Sequence, residues 1–388
     1  MTKLKTATLA RRRKTTETHQ SPSNASADSS SPEKSRPRYT ESDENILVEH
    51  DWISKNDLDA LRREASNTQT SATELLIDKG VYTAAEIDLC LETDDWWKRS
   101  TADHHAHITS EEAISAYQHS FSLHGYFAVP HFLSREELYE IDLAMHRIAI
   151  EHIDENPAKH KLYHSIGPRL FTKQATVNIT GHPALMTIAQ SFLGNDLVQG
   201  KNYLKVDEPY RYCGMFGHTH AETHFDCLTR GLYMFLYMDA TTHECGGFQI
   251  IPDSHTWYTR GGDGRTLYKG ALLESESPLT NKASLTHDLE PARRWAGYES
   301  LPMCGNTLLV LSPFLWHAVR PVRHRRRLLF TGFFDAKSLT HDFVMRSDYF
   351  GNFPYDMTKC DLTLLNATQK KLLEIHLDRE AWLAKRGQ

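Results

Sequence analysis

The sequence predicts an α+β protein, mainly β: a jelly roll backed by helices, with a small helical module ahead of it. Three observations lead there. Apolar residues recur with period two in short runs at 202–206, 231–238, 247–251, 306–311 and 327–334, the spacing of strands with a buried face. Before them, from about 108, the period is helical and the runs open on capping residues. A separately capped helical stretch occupies 44–98. No internal repeat is visible.

Composition narrows the class. With 388 residues, 40% of them apolar and 24% charged, the chain is ordinary globular material, long enough for two units or so. No apolar run reaches the ~20 residues that span a bilayer, so no membrane span is expected. Cys90, Cys213, Cys227, Cys245, Cys304 and Cys360 include no C-x-x-C pair. That argues against a zinc ribbon or a disulfide scaffold and fits a reducing, cytoplasmic setting. The net charge of −6 is uneven, because residues 1–39 carry nine Lys/Arg against three Asp/Glu. This stretch is rich in Ser, Thr and Pro and nearly empty of large apolar residues, so 1–43 is expected to be a disordered basic tail. Its Arg11-Arg12-Arg13-Lys14 run suits targeting or nucleic-acid contact; a solvated tail is the plainer reading. The acidic remainder has no interleaved aromatic and basic residues, so nucleic acid is not expected as the main partner.

The elements follow in order. Ser54 and Asp57 open a helix with Leu58, Leu61 and Ala65 on one face, Leu75-Leu76-Ile77 run to a stop at Gly80, and Thr83 with Glu86 forms a capping box. The segment ATELLIDKGVYTAAEIDLCL resembles the small helical modules at the N-terminus of type II secretion and pilus ATPases. The Arg and Gly that the resemblance requires before the first helix are missing, so 44–98 is expected to meet a protein partner rather than a nucleotide. His104-His105-Ala106-His107 falls between the two regions and reads as a solvated linker. The larger unit is expected over 105–340. Thr109 and Glu112 suggest a capping box leading to a stop at Gly125, Tyr126-Phe127-Ala128-Val129 reads as a strand, and Ser134 with Glu137 caps a long helix. Residues 341–388 are expected to form a helical extension, with one amphipathic helix over 361–385.

The chemistry gathers at His218-Thr-His220-Ala-Glu222-Thr-His224-Phe-Asp226, where every second residue is a potential metal ligand. On a strand, residues two apart share a face; on a helix they fan apart. His152-Ile153-Asp154 has the same H-x-D spelling but falls in a predicted helix, where it cannot chelate one ion. A 2-His-1-carboxylate triad needs a third ligand, and His317 stands 93 residues after His224, at the end of the apolar run Leu308-Leu309-Val310-Leu311. Arg325, Arg326 and Arg327 then open the next strand. An arginine there offers a fixed fork of donors to a carboxylate, which is what the distal end of 2-oxoglutarate requires. Both His220/Glu222 and His224/Asp226 satisfy the spacing.

The order of pieces resembles the phytanoyl-CoA dioxygenase family over about residues 110–340. The pieces are FSLHGYFAVPHFL at 121–133, the H-x-D pair, Gly246-Gly247-Phe248-Gln249-Ile250-Ile251-Pro252-Asp253-Ser254-His255, Gly305-Asn306-Thr307-Leu308, and His317 followed by an arginine. Asp253 stands where the family usually has glycine, in a turn that tolerates Asp. The resemblance implies a double-stranded β-helix (jelly roll, cupin-like) and an iron(II)/2-oxoglutarate-dependent dioxygenase. It implies His224, Asp226 and His317 as metal ligands and Arg327 as the 2-oxoglutarate partner. Arg326 and Arg325 are the fallbacks, because a one-residue register error turns the side chain to the other face. O2 is the second co-substrate, with release of succinate and CO2. In related halogenases a small residue replaces the carboxylate ligand, so Asp226 favours hydroxylation or desaturation.

Residues 256–300 form a long polar insertion, the kind of loop that serves as a lid or binding surface, with Arg293, Arg294 and Trp295 as candidate contacts. The expected substrate is a small molecule or carrier-linked compound. Two other classes fit the same residues: a non-catalytic iron/2-oxoglutarate sensor signalling through 44–98, and a cupin-like metalloenzyme of other chemistry.

Overall fold

The computed structural model describes residues 38–68, 70–155, 163–166, 173–207, 230–242, 247–250, 252–256, 258–260, 266–268, 271–272, 299–315, 317–319, 326–346 and 361–387. The chain forms two compact units, Met1–Ile87 and Asp88–Gln388.

In the first unit, three helices are each started by a side chain that accepts an N-terminal backbone N–H. Thr40 opens α1 (Glu41–Glu49) in a capping box with Asp43, and Ser71 opens α3 (Ala72–Asp78) in one with Glu74. Ser54 Oγ accepts from Asp57 N at the head of α2 (Lys55–Thr68). Each such cap stabilises a helix by about 1 kcal/mol. Leu47, Leu58, Ala65, Leu75 and Leu76 are buried. The buried Glu44 ties all three helices, accepting from Ala72 N at 2.7 Å and Arg62 Nε at 2.7 Å. Gly80 ends the third helix with φ +66°, a conformation that costs a residue with Cβ about 1–2 kcal/mol.

α4 (Ala84–Lys98) runs from the end of the first unit into the second. There α5 (Thr101–Ile108) and α6 (Glu111–His124) lead to β1 (Tyr126–Val129), followed by α7 (Arg135–Glu155), β2 (Tyr163–Ile166), α8 (Gln174–Val177) and α9 (Pro183–Leu193). The remaining strands are β3 (Leu197–Asp207), β4 (Gly231–Tyr237), β5 (Phe248–Ile250), β6 (Tyr258–Arg260), β7 (Thr266–Tyr268), β8 (Ala271–Leu272), β9 (Glu299–Leu301), β10 (Thr307–Leu311), β11 (His317–Val319) and β12 (Arg326–Asp335). Two sequence expectations are corrected. The His104–His107 stretch is no solvated linker: Ser100 caps it into α5, and His104 is buried with Nε2 donating to Phe132 O at 3.1 Å. The helix after it is capped by Ser110, whose side chain accepts from Ala113 N, while Thr109 closes α5.

A six-stranded antiparallel sheet runs β1-β10-β4-β12-β3-β2, and a three-stranded one runs β11-β5-β9. From β9 onward the chain passes between them strand by strand: β9 small, β10 large, β11 small, β12 large. The large sheet is buried on both faces. Leu232, Met234, Leu236, Leu308, Val310, Leu329 and Phe333 pack with Ile141, Met145 and Ile148 of α7 and with Ile188 of α9. Their alternates Tyr233, Tyr237, Leu309, Leu311, Leu328 and Phe330 pack with Phe248 and Ile250 of the small sheet. Each fully buried Leu or Phe contributes roughly 1.5–3 kcal/mol, so this two-sided sheet is the main source of stability in the unit. The 256–300 insertion carries the meander β6-β7-β8. Past β12, the single amphipathic helix expected over 361–385 is two, Ala367–Leu377 and Arg379–Lys385, split by Asp378 at φ −155° and ψ 97°. Among the described residues, no helix is long and apolar enough to cross a membrane.

Candidate active site

Two polar side chains stand at the interior between the sheets, His317 on β11 of the small sheet and Arg326 on β12 of the large one. His317 opens β11 opposite Ile250 of β5. The chain reaches it through a turn in which Leu315 N donates to Ser312 O, while Ser312 N donates to Gly125 O at 2.8 Å. The His317 side chain is 3% exposed and its ring stacks on Phe248, with centroids 5.0 Å apart. Its Nδ1 lies 2.8 Å from Leu315 O. A carbonyl only accepts, so Nδ1 is the donor. A backbone carbonyl behind a ring in this way is the usual support of a metal-binding imidazole.

The two arginines that open β12 point to opposite faces, as adjacent strand residues must. Arg326 is 2% exposed and lies 5.7 Å from the centroid of the Tyr237 ring, on the face of Leu328 and Phe330. Arg327 faces the helices. Its Nε and Nη2 bind the Asp239 carboxylate at 3.0 and 2.6 Å, its Nη1 binds Asp142 of α7 at 2.6 Å, and its backbone N–H donates to Asp239 at 2.7 Å. The Asp239 hydrogen bond, opposed by burial and reinforced by the charges of Asp239 and Asp142, holds the guanidinium above its ordinary range. Arg327, preferred on spacing, thus braces β12 against α7, and Arg326 faces the same interior as Phe248, on which His317 stacks. His224, Asp226, Arg325 and the rivals His220 and Glu222 lie outside the described residues, as do Arg293, Arg294 and Trp295.

Two of the sequence motifs meet at the rim. Gly125 closes α6 with φ +78°, and a Cβ there would stand 2.6 Å from the His255 ring. His255 Nε2 donates to Ser122 O at 3.3 Å. Asp253, in the family's glycine position, has φ +59°, the left-handed conformation that Asp tolerates better than most residues.

One cluster escaped the sequence reading. His105 of α5, Glu137 at the head of α7 and His182 before α9 bring their ligand atoms within 4.8 Å of one another. The two Nε2 atoms lie 3.0 and 3.1 Å from the Glu137 carboxylate. Burial pushes this carboxyl up, but the hydrogen bonds from His105 and His182 outweigh it and hold it well below the usual carboxylate range. The S-x-x-E cap was legible; its histidine partners, far away in the chain, carried no local signal.

No family model matches the chain, and no curated protein matches it. Among solved structures it is similar to AviO1 from Streptomyces viridochromogenes Tue57, at 14% identity over 58% of this chain and 96% of that one, with TM-score 0.42. It is also similar to SnoK, a non-heme alpha ketoglutarate dependent carbocyclase from nogalamycin biosynthesis, at 17% identity over 58% and 84% of the chains and TM-score 0.43. The epimerase SnoN of the same biosynthesis gives 14%, 58%, 84% and 0.41. Likenesses this distant establish neither the fold nor the activity.

Proposed function

We propose that the chain is an iron(II)- and 2-oxoglutarate-dependent oxygenase on a double-stranded β-helix. His224, Asp226 and His317 are the iron ligands, and Arg326 is the partner of the 2-oxoglutarate distal carboxylate. The observation that carries this reading is a pair of features on one interior: an imidazole whose proton is fixed on Nδ1 by a backbone carbonyl, and a buried arginine opening β12. The passage of successive strands between two facing sheets supports the double-stranded β-helix.

Of the proposed ligands, His317 is the one within the described residues, and its setting fits the group. His317 offers Nε2 from a ring locked by stacking and by its Nδ1–H bond, which lowers the entropy lost on metal binding. Bound iron(II) supplies oxygen activation coupled to decarboxylation of 2-oxoglutarate to succinate and CO2. Arg326 supplies a planar fork of donors among Tyr237, Leu328 and Phe330, and exclusion of water there strengthens its pairing with a carboxylate. Arg327 is the poorer candidate because Asp239 and Asp142 hold its guanidinium on the helix side, away from the interior that Phe248 and His317 share. The substrate is a small molecule or carrier-linked compound, hydroxylated at an unactivated C–H.

The assignment is tested by 2-oxoglutarate affinity in the iron-loaded protein without oxygen. Arg326→Ala should weaken binding by roughly 30-fold or more, and Arg327→Ala should leave it near wild type. The reverse pattern would move the carboxylate partner to Arg327. No binding in folded, metal-loaded wild type would remove 2-oxoglutarate from the proposal.

A further inference from the structure

We infer that His105, Glu137 and His182 form a second divalent-metal site, suited to zinc, on the helical side of the large sheet and separate from the iron centre. The three residues come from three helical elements: the last turn of α5, the first turn of α7 and the residue before α9. The helices α7 and α9 cover the outer face of the large sheet, whereas His317 lies on β11 of the small sheet and stacks on Phe248, which packs against the inner face.

The geometry matches a metal polyhedron. Tetrahedral zinc with bonds near 2.0–2.1 Å has ligand–ligand edges of about 3.3 Å. The two Nε2-to-carboxylate distances are 3.0 and 3.1 Å, so a small outward adjustment brings each to that edge. The two imidazole rings stand at 69° with centroids 4.7 Å apart, turning both Nε2 atoms toward one carboxylate without ring overlap. Glu137 Oε2 accepts from Ser134 N at 3.0 Å, which orients the carboxylate as an outer hydrogen bond orients a metal ligand. His182 is 3% exposed and its Nδ1 is buried without a hydrogen-bond partner, so Glu137 fixes the direction of its Nε2. His105 and Glu137 are 19% and 21% exposed at the side chain, which leaves a path for the ion and for water as a fourth ligand.

The helix ends partly oppose this. α7 and α9 present positive N-termini, each worth about half an elementary charge, while α5 presents a negative C-terminus. The full charge of Glu137 and two neutral nitrogen donors outweigh that residue of positive potential. Zinc here would clamp α5 to α7 and α9.

The test removes the other site first. The full-length His317→Ala protein is incubated with zinc, passed over a desalting column and analysed for metal, then titrated against a chromophoric chelator. A single equivalent should be retained, and His105→Asn or His182→Ala on the same background should lose it while circular dichroism shows the fold intact. His105 is partly exposed, so its variant should fold even if the buried His182 variant does not. Cobalt(II) in place of zinc should give tetrahedral visible bands that vanish in the same variants. Retention unchanged by both histidine variants, or no retention by folded His317→Ala protein, would overturn the inference. Failure of the iron reading would appear as missing 2-oxoglutarate binding and would leave this result untouched.

Discussion

Two adjacent arginines open β12 and meet opposite surroundings. Arg326 enters an interior of aromatic and aliphatic side chains, and Arg327 enters a pair of carboxylates. Arg327→Ala should lower the unfolding free energy by about 1–3 kcal/mol, because it leaves two half-buried carboxylates without their partner; chemical denaturation measures this. At the same scale, His376 donates from Nε2 to Gln199 O, its Nδ1 enclosed while part of the residue reaches the surface. Burial pushes its pKa down to about 4. The folded value lies below the unfolded one, so the unfolded chain takes up the proton first and stability falls with pH. The loss should run from about pH 6.5 down to about 4 and reach on the order of 1–3 kcal/mol. His376→Gln should flatten that slope in urea melts collected across the range. Alternation alone shows that Arg326 and Arg327 face opposite ways; which way was not legible, because it depends on pairing with β3 and β4. The His105–Glu137–His182 cluster was invisible for a related reason: nothing in one helix names its partner in another.

At the scale of elements, short-range physics was readable. The helix caps at Ser54, Thr83 and Ser134 carry the expected hydrogen bonds. The period-two runs correspond to β3, β4, β5, β10 and β12. Misreadings fell where two local signals competed, as at Thr109 and Ser110, or where one residue interrupts a continuous apolar pattern, as Asp378 does. β11 is only three residues long and rests on β5, where Phe248 stacks on His317. Phe248→Leu keeps an apolar side chain but removes the ring that fixes the imidazole, so iron affinity should fall by several-fold while the fold persists. Iron titration beside circular dichroism would expose a contrary result, affinity unchanged in a folded variant. Gly125→Ala should cost at least about 1–2 kcal/mol from its left-handed backbone alone, and more from the clash with the His255 ring. Thermal melts would show it.

Over the whole molecule, the sequence distinguished a helical module from a larger β-rich unit because 44–98 is capped separately and the period-two runs follow only the helices that begin near 108. The structure draws the line at Ile87 and Asp88, inside α4, where no composition change marks it. The large sheet buries both faces, one against helices and one against the small sheet, and the proposed catalytic interior is the second of these. The proposed chemistry lies between the two sheets, with His317 and Arg326, and the proposed zinc clamp lies on the helical side. The central claim is tested most directly by adding iron(II) and 2-oxoglutarate to metal-free protein under anaerobic conditions. Wild type should develop the weak visible charge-transfer band of an iron-chelated keto acid, and His224→Ala should not. A folded, iron-loaded wild-type protein that shows no band would contradict the account and favour a cupin-like metalloenzyme of other chemistry.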